Sequence, residues 1–344
     1  MSATQRIIEG ENSIQQLKTE LINAGFNSIF LITGKHFKLD DHPGLFNGLT
    51  VIHFVKSGPN VEVAEMQDVF AEFSAEKGRA IVAIGGGSVM DLAKAVIHRS
   101  IELSMPVPFF AAAPTTAGSG SEATHFAVVY KDKKKYSLIH PSLLPQIVIL
   151  DPSLTYSLSS HQTAICGMDA FSQAVESSWS VNATEESKQF AADSIKLWKE
   201  AFLNAVMEPT PPARKKMMKA SHLAGKAINI TRTSGPHALS YYLTIYHNVP
   251  HGQAVALFLP VFFLYNQPVS ELCKLLEADD EYNAMQMIRQ TMSKAGLAID
   301  LAGLGLSKEN IIDKLLDEVN EERFANNPAA FDKEKLRNLI IDLL

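Results

Sequence analysis

The chain has 344 residues, of which 46% are hydrophobic and 20% charged, with 31 basic against 37 acidic side chains for a net charge of −6. At roughly 100–200 residues per domain this length predicts about two folded domains, and the composition excludes a disordered chain. The acidic balance argues against nucleic acid as a partner, while two cysteines, Cys166 and Cys273, exclude a disulfide framework and a four-cysteine zinc site. So few cysteines suit a reducing, cytoplasmic setting. The most apolar stretch, 254–265, contains Pro260 and falls short of the about 20 apolar residues a membrane span needs. Residues 1–20 lack the basic start and apolar run of a signal peptide.

In chain order, SIFLIT at 28–33 and TVIHFV at 50–55 predict two strands, and 61–76 carries apolar residues at helical spacing. AIVAI at 80–84 predicts a third strand, with a helix following over 91–100. Residues 109–113 and 146–150 predict further strands. Between them AVVYKDKKKYSL at 127–138 reads as a β-hairpin extending from the sheet, its charged tip at 131–134. Alternating strands and helices predict a parallel, doubly wound sheet. Beyond Asp151 strand-like runs give way to helices over 164–175, 185–205, 212–227, 253–264 and 281–295, with a Pro-rich loop at 208–212. The fold class expected is an α/β Rossmann-like domain over 1–155 followed by an all-α domain over 156–344. A ligand cleft is expected where the two meet.

Residues 84–94 read IGGGSVMDLAK. A strand ends at Ile84, and Gly85, Gly86 and Gly87 lead into a helix near Ser88. Glycines there let backbone approach a ligand, and the free N–H groups of a helix start suit a diphosphate. The pattern is neither G-x-G-x-x-G nor a Walker loop. Asp91 and Lys94 lie one turn apart, the spacing of an exposed ion pair. A second small-residue segment, PTTAGSGSE at 114–122, follows the next strand. Two such loops after parallel strands lie side by side at the carboxyl edge of a sheet, where dinucleotides bind.

Asp169 and Gln173 are spaced i, i+4 on a predicted helix and share a face. Two histidines follow in GPHA at 235–238 and NVPHG at 248–252, with Pro250 placed to start a helix. One carboxylate and two imidazoles, Asp169, His237 and His251, suit a divalent metal with an open position. His125, His140, His161 and His247 show no such frame and read as structural.

Taken together these segments resemble the iron-containing (group III, metal-dependent) alcohol dehydrogenases. The shared pieces are GGGSxxDxxK at 85–94, PTTAGSGSE at 114–122, DPSLTYSLSSHQTAICGMDA at 151–170 and HAxSxxLxxxxxxPHG at 237–252, in the family's order. The resemblance implies NAD(P)H-dependent hydride transfer to a small aldehyde, with one divalent metal, Fe2+ or Zn2+. It implies that Gly85, Gly86, Gly87 and Ser88 hold the cofactor diphosphate, and that Asp91, Thr115, Thr116 and Ser119 lie along the cofactor. Asp91 would orient its nicotinamide end. The implied metal ligands are Asp169, His237 and His251. Family habit implies a homodimer.

Three positions depart from the family. Gln173 stands where a ligand His is common, leaving it a weak ligand or a neighbour of the metal. Tyr241 replaces a His four residues after His237 that lies near the nicotinamide; a phenol there either relays protons or packs. Gly34, with Lys35 after it, replaces an Asp that repels a ribose 2′-phosphate, which predicts that NADPH is accepted as well as NADH. The segments 231–254 and 134–138 are similar to phosphonate-associated members that reduce phosphonoacetaldehyde to 2-hydroxyethylphosphonate. That subgroup suggests an anionic aldehyde, with Lys134 or Lys135 as its contact and Lys131, Lys133 and Lys134 otherwise solvated. Two alternatives remain at this level: a dehydroquinate-synthase-like cyclase using NAD transiently, and a catalytically inactive binding protein.

Overall fold

The structure, a computed structural model, describes residues 5–74, 79–132 and 134–344. Lys133 and the end of the expected 61–76 helix lie outside the described residues. Two compact units are present. One comprises the chain up to Thr116 together with Gly120–Tyr156; the other comprises Ala117–Ser119 together with Ser157–Leu344.

The first unit holds, in order, β1 (Arg6–Glu9), α1 (Leu17–Asn23), β2 (Ser28–Gly34), β3 (Thr50–Lys56), α2 (Val63–Ser74), β4 (Ala80–Gly85), α3 (Gly87–Glu102), β5 (Phe110–Pro114), β6 (Phe126–Lys131), β7 (Lys134–Ile139) and β8 (Ile147–Leu150). Six strands form a parallel sheet in the order β1–β8–β5–β4–β2–β3. Its central strands are apolar on both faces, as a sheet covered on both sides requires. Alternation sorts them: Phe30, Ile32, Ile81, Ala83 and Phe110 share a core with Val69 of α2 and Val96 of α3. Ile29, Leu31, Val82, Ile84 and Ala111 share the other core with Leu17 and Leu21 of α1.

Strand order reverses around β2. The chain passes outward to β3, then returns to the opposite flank of β2 as β4. In open α/β sheets ligands bind outside the carboxyl ends of the strands at such a reversal, and those ends are here Gly34 and Gly85. The expected hairpin is formed by β6 and β7, but as a separate two-stranded antiparallel sheet. It does not extend the main sheet because β6 lies against α3, where the Val128 N–H donates to Asp91. The short β1 and α1 went unpredicted, since four residues of RIIE carry too little periodicity to register.

The second unit is helical: α4 (Ser160–Trp179), α5 (Glu185–Met207), α6 (Pro211–Thr231), α7 (Gly235–His247), α8 (His251–Tyr265), α9 (Ser270–Leu276), α10 (Glu281–Lys294), α11 (Lys308–Asp317), α12 (Glu321–Phe324) and α13 (Lys333–Leu343). The five helices expected from sequence correspond to α4, α5, α6, α8 and α10. α7 is not among the helices expected from sequence; its start carries Pro236, and Pro is at home in a first helical turn. α4 is the buried centre. Ser159 caps it by accepting from the Gln162 N–H. Trp198 of α5 donates to Gly167 O at 2.9 Å and stacks on Phe171 with ring centroids 4.0 Å apart. Arg214 of α6 donates to Thr163 Oγ1 and to Leu158 O, fixing the first turn. Among the described residues no helix is long and apolar enough to cross a membrane.

Candidate active site

At the carboxyl edge of the sheet, β4 ends on Gly85 and α3 begins at Gly87 with Gly86 as its N-cap. A Cβ on Gly85 would lie 2.5 Å from Val89 Cγ2, so only glycine lets the helix rise this close to the strand. No side chain caps α3 among the described residues. Its first N–H groups, including that of Ser88, and the positive end of its dipole therefore remain available to an anion. The Thr115 N–H donates to Gly85 O at 3.0 Å, and Thr116 lies against Gly86. This brings the start of the second small-residue segment beside the first. Gly34 ends β2 on the other side of the strand reversal, and Lys35 after it is exposed.

Asp91 and Lys94 differ from the expected exposed ion pair. Lys94 is wholly buried. Its ammonium donates to Ser121 O at 2.5 Å, Ser121 Oγ at 3.1 Å, Thr124 Oγ1 at 2.9 Å and Phe126 O at 2.9 Å. Burial pulls its pKa down to about 8 against the favourable charges of Asp91 and Glu122. The turn at 121–126 folds over the helix face, and spacing alone could not reveal that cover. Asp91 Oδ1 accepts from Ser121 Oγ at 2.9 Å and Oδ2 from the Val128 N–H at 3.2 Å. Burial pushes its carboxyl up, against the pull of Lys94, Ser121, Val128 and Lys135. Both residues thus tie the glycine motif of α3 to the end of PTTAGSGSE.

The middle of that segment belongs elsewhere. Ala117–Ser119 group with the helical unit. A Cβ on Gly118 would lie 2.9 Å from Cys166 Cα, so the segment rests on the backbone of α4. Ser119 O accepts from Gln173 Nε2 at 3.2 Å.

In the helical unit the ligand atoms of Asp169, His237 and His251 lie within 4.8 Å of one another. Three helices deliver them. Asp169 sits mid-α4. His237 is in the first turn of α7, and a Cβ on Gly235 would fall 1.9 Å from Phe262 Cε1, so that turn is pressed onto α8. His251 opens α8, and a Cβ on Gly252 would fall 2.2 Å from Ile165 O, so α8 starts in contact with α4 one turn before Asp169. Asp169 Oδ1 stands 3.5 Å from His237 Nε2. Burial alone would raise the Asp169 carboxyl, yet His237 and His251 beside it hold it below the usual carboxylate range. Asp169 Oδ1 and Gln173 Oε1 are both buried and accept no hydrogen bond among the described residues. Leaving such acceptors unsatisfied is costly, and a cation is the group that would satisfy them. The donor set, carboxylate oxygen, amide oxygen and two imidazole nitrogens, fits a divalent metal.

Sequence reasoning missed Glu176. It is one further turn along α4, at i+7 from Asp169, and wholly buried. Its Oε1 hydrogen-bonds His237 Nδ1, and its Oε2 accepts from the Ser234 N–H at 2.6 Å and Ser234 Oγ at 3.0 Å. Burial draws the His237 imidazole down, but Glu176 and Asp169 on its two sides outweigh it and raise the pKa to about 9. Tyr241, also buried, lies with its ring 6.3 Å from that of His251 and nearly parallel to it.

Comparison with known proteins agrees with this geometry. The family model described as iron-containing alcohol dehydrogenase matches residues 4–152, and that of the Fe-containing alcohol dehydrogenase family, C-terminal, matches 163–344. Phosphonoacetaldehyde reductase of Streptomyces viridochromogenes is 30% identical over 300 residues, 75% of this chain and 74% of that protein. The probable alcohol dehydrogenase EutG of Escherichia coli is 32% identical over 248 residues, 65% of this chain and 62% of that protein. Among solved structures, sulfoacetaldehyde reductase from Bifidobacterium kashiwanohense, in complex with NAD+, superposes with a TM-score of 0.91 at 29% identity, covering 100% of this chain and 97% of that one. With family models matching both halves, the chain belongs to the iron-containing alcohol dehydrogenase family, as an NAD(P)H-dependent oxidoreductase of aldehydes and alcohols.

Proposed function

We propose that the chain reduces a small anionic aldehyde, of the phosphonoacetaldehyde or sulfoacetaldehyde kind, with NADPH or NADH. The parallel-sheet unit, up to Thr116 and over Gly120–Tyr156, carries the cofactor, and the helical unit, Ala117–Ser119 with Ser157–Leu344, carries the metal and the substrate. The observation behind this reading is the convergence of Asp169, His237 and His251 in a chain that also offers an uncapped glycine turn. The names of two relatives supply the anionic aldehyde.

In this reading the N–H groups of Gly85, Gly86, Gly87 and Ser88 hold the diphosphate. Thr115, Thr116 and Ser119 line the cofactor, and Asp91 orients its nicotinamide end. Asp169, His237 and His251 hold the metal, and the Gln173 amide oxygen adds a further donor. A bound Fe2+ or Zn2+ supplies Lewis acidity toward the aldehyde carbonyl, and the reduced cofactor supplies the hydride. A proton reaches the product oxygen from solvent, from a ribose hydroxyl of the cofactor or from Tyr241. A homodimer is the assembly that goes with this reading, and light scattering of the purified chain tests it.

The test is a panel of aldehydes, phosphonoacetaldehyde and sulfoacetaldehyde included, assayed with NADPH and NADH after metal loading. One cofactor oxidised per aldehyde consumed is the expected result; product without net cofactor oxidation would mean a cyclase. A panel in which neutral aldehydes turn over as well as the two anions would remove the anionic preference.

Two substitutions sharpen the reading. Gly34→Asp is expected to raise the KM for NADPH by about tenfold through repulsion of a 2′-phosphate, with little change for NADH. Strict NADH use by the unaltered protein would overturn it. The Lys135 charge acts on Asp91, whereas Lys131 and Lys134 are exposed, so Lys135 is the proposed anion contact. Lys135→Ala is expected to raise the KM for phosphonoacetaldehyde about tenfold and leave that for propanal unchanged. Equal effects on both aldehydes would remove Lys135 from substrate recognition.

A further inference from the structure

Glu176 is neither a metal ligand nor part of a surface ion pair, yet it is a carboxylate with no exposure to solvent. Burying an unpaired carboxylate is expensive, so its partners reveal its purpose. There are three. The Ser234 N–H and the Ser234 hydroxyl both donate to Oε2, and His237 Nδ1 meets Oε1. Ser234 Oγ itself accepts from Trp179 Nε1 at 2.9 Å, so its own proton is directed at Glu176.

An ionised carboxylate only accepts hydrogen bonds. With donors on one oxygen, Glu176 imposes the same role on the other, and His237 must carry a proton on Nδ1. That leaves Nε2, the nitrogen 3.5 Å from Asp169, as the one that can give up its proton and present a lone pair. The same contact fixes the plane of the ring. A second consequence concerns α7: its N-cap Ser234 makes no side-chain cap, and Glu176 takes that place at the positive end of the helix.

We infer that Glu176 is the positioning residue of this site: it selects the tautomer and orientation of His237 and thereby sets the affinity for the metal. The inference rests on the metal reading of Asp169, His237 and His251. Partners of this kind behind a ligand histidine are worth about 10–100-fold in metal affinity.

The test strips the purified protein with a chelator and titrates it with Co2+ and Zn2+ against a chromogenic competitor, recording melting temperature and the Co2+ visible spectrum alongside. Glu176→Gln keeps shape but turns an acceptor into a donor. It is expected to weaken metal binding by about 10–100-fold and to shift the Co2+ bands. Glu176→Asp keeps the charge at a shorter reach. It is expected to recover part of the affinity, and it carries the test should the Gln variant not fold. Ser234→Ala loses one bond to Glu176 but leaves the pairing with His237. It should lower the melting temperature more than the metal affinity.

Loss of affinity in proportion to loss of melting temperature across all three variants would mean that Glu176 merely docks α7, and would overturn the inference. His251→Ala separates the two readings. If it binds metal as the unaltered protein does, the ligand set itself is wrong. If it loses metal while Glu176→Gln binds normally, only the positioning role fails.

Discussion

Replacing His251 with alanine is expected to abolish metal-dependent turnover while leaving a folded chain. His251 is the least buried of the three converging side chains and stands at the very start of α8, so truncation removes a ring beside His237 and Tyr241 but leaves the body of the helix as it is. The polarising effect of a metal on a carbonyl is worth several kcal/mol, so its loss should lower kcat/KM by roughly a thousandfold. Bound metal, measured by elemental analysis after gel filtration, should fall in parallel, and the far-ultraviolet circular dichroism should not change. Retained turnover would mean that the metal site is misassigned.

A second large effect, on stability as well as on metal binding, is expected one residue further on, by a different route. In Gly252→Ala the new methyl would sit 2.2 Å from the Ile165 carbonyl oxygen and 3.0 Å from its carbonyl carbon. Those are backbone atoms in the second turn of the buried helix α4, and they cannot rotate away as a side-chain tip can. α8 must lift off α4 and take His251 with it. Overpacking of this kind typically costs about 1–3 kcal/mol. A melting temperature lower by roughly 5 °C is therefore expected, together with weakened metal binding. Gly58→Ala, where a Cβ meets nothing closer than 3.9 Å, is the control. A Gly252→Ala protein with unaltered melting and unaltered metal affinity would show that the helix contact does not position the ligand.

The parts of the fold that could be read from sequence are those whose cause is local. Ile84–Gly85–Gly86–Gly87 announces a strand-to-helix turn by itself, and Asp169 and Gln173 share a helix face by spacing alone. Gly235 and Gly252 were visible as motif glycines, but what they touch, Phe262 and Ile165, lies far along the chain. Lys94 misled for the same reason. Its i, i+3 relation to Asp91 is local, whereas its burial depends on a turn 27 residues or more downstream. Glu176 is the sharpest case. Its position on the Asp169 face could have been found by extending the helical repeat one turn. A single carboxylate among Ala, Val and Ser nevertheless looks like any helix charge until α7, 61 residues later, brings His237 against it. The Gly235-Pro236 start of α7 suits a loop as well as a first helical turn, and its packing on Phe262 of α8 accompanies the helix.

The placement of Ala117–Ser119 bears on how these halves can be exchanged. A chimera joined at Tyr156, the obvious seam, would pair the helical half of one parent with residues 117–119 of the other. Two fits would then be left to chance: Gly118 against the backbone of Cys166, and Ser119 O against the amide of Gln173. A Gln-to-His difference at 173 between parents would leave that carbonyl facing a side chain of different reach. Residues 117–119 should therefore travel with the helical half in any recombination, as a short insert in the other parent's sheet domain.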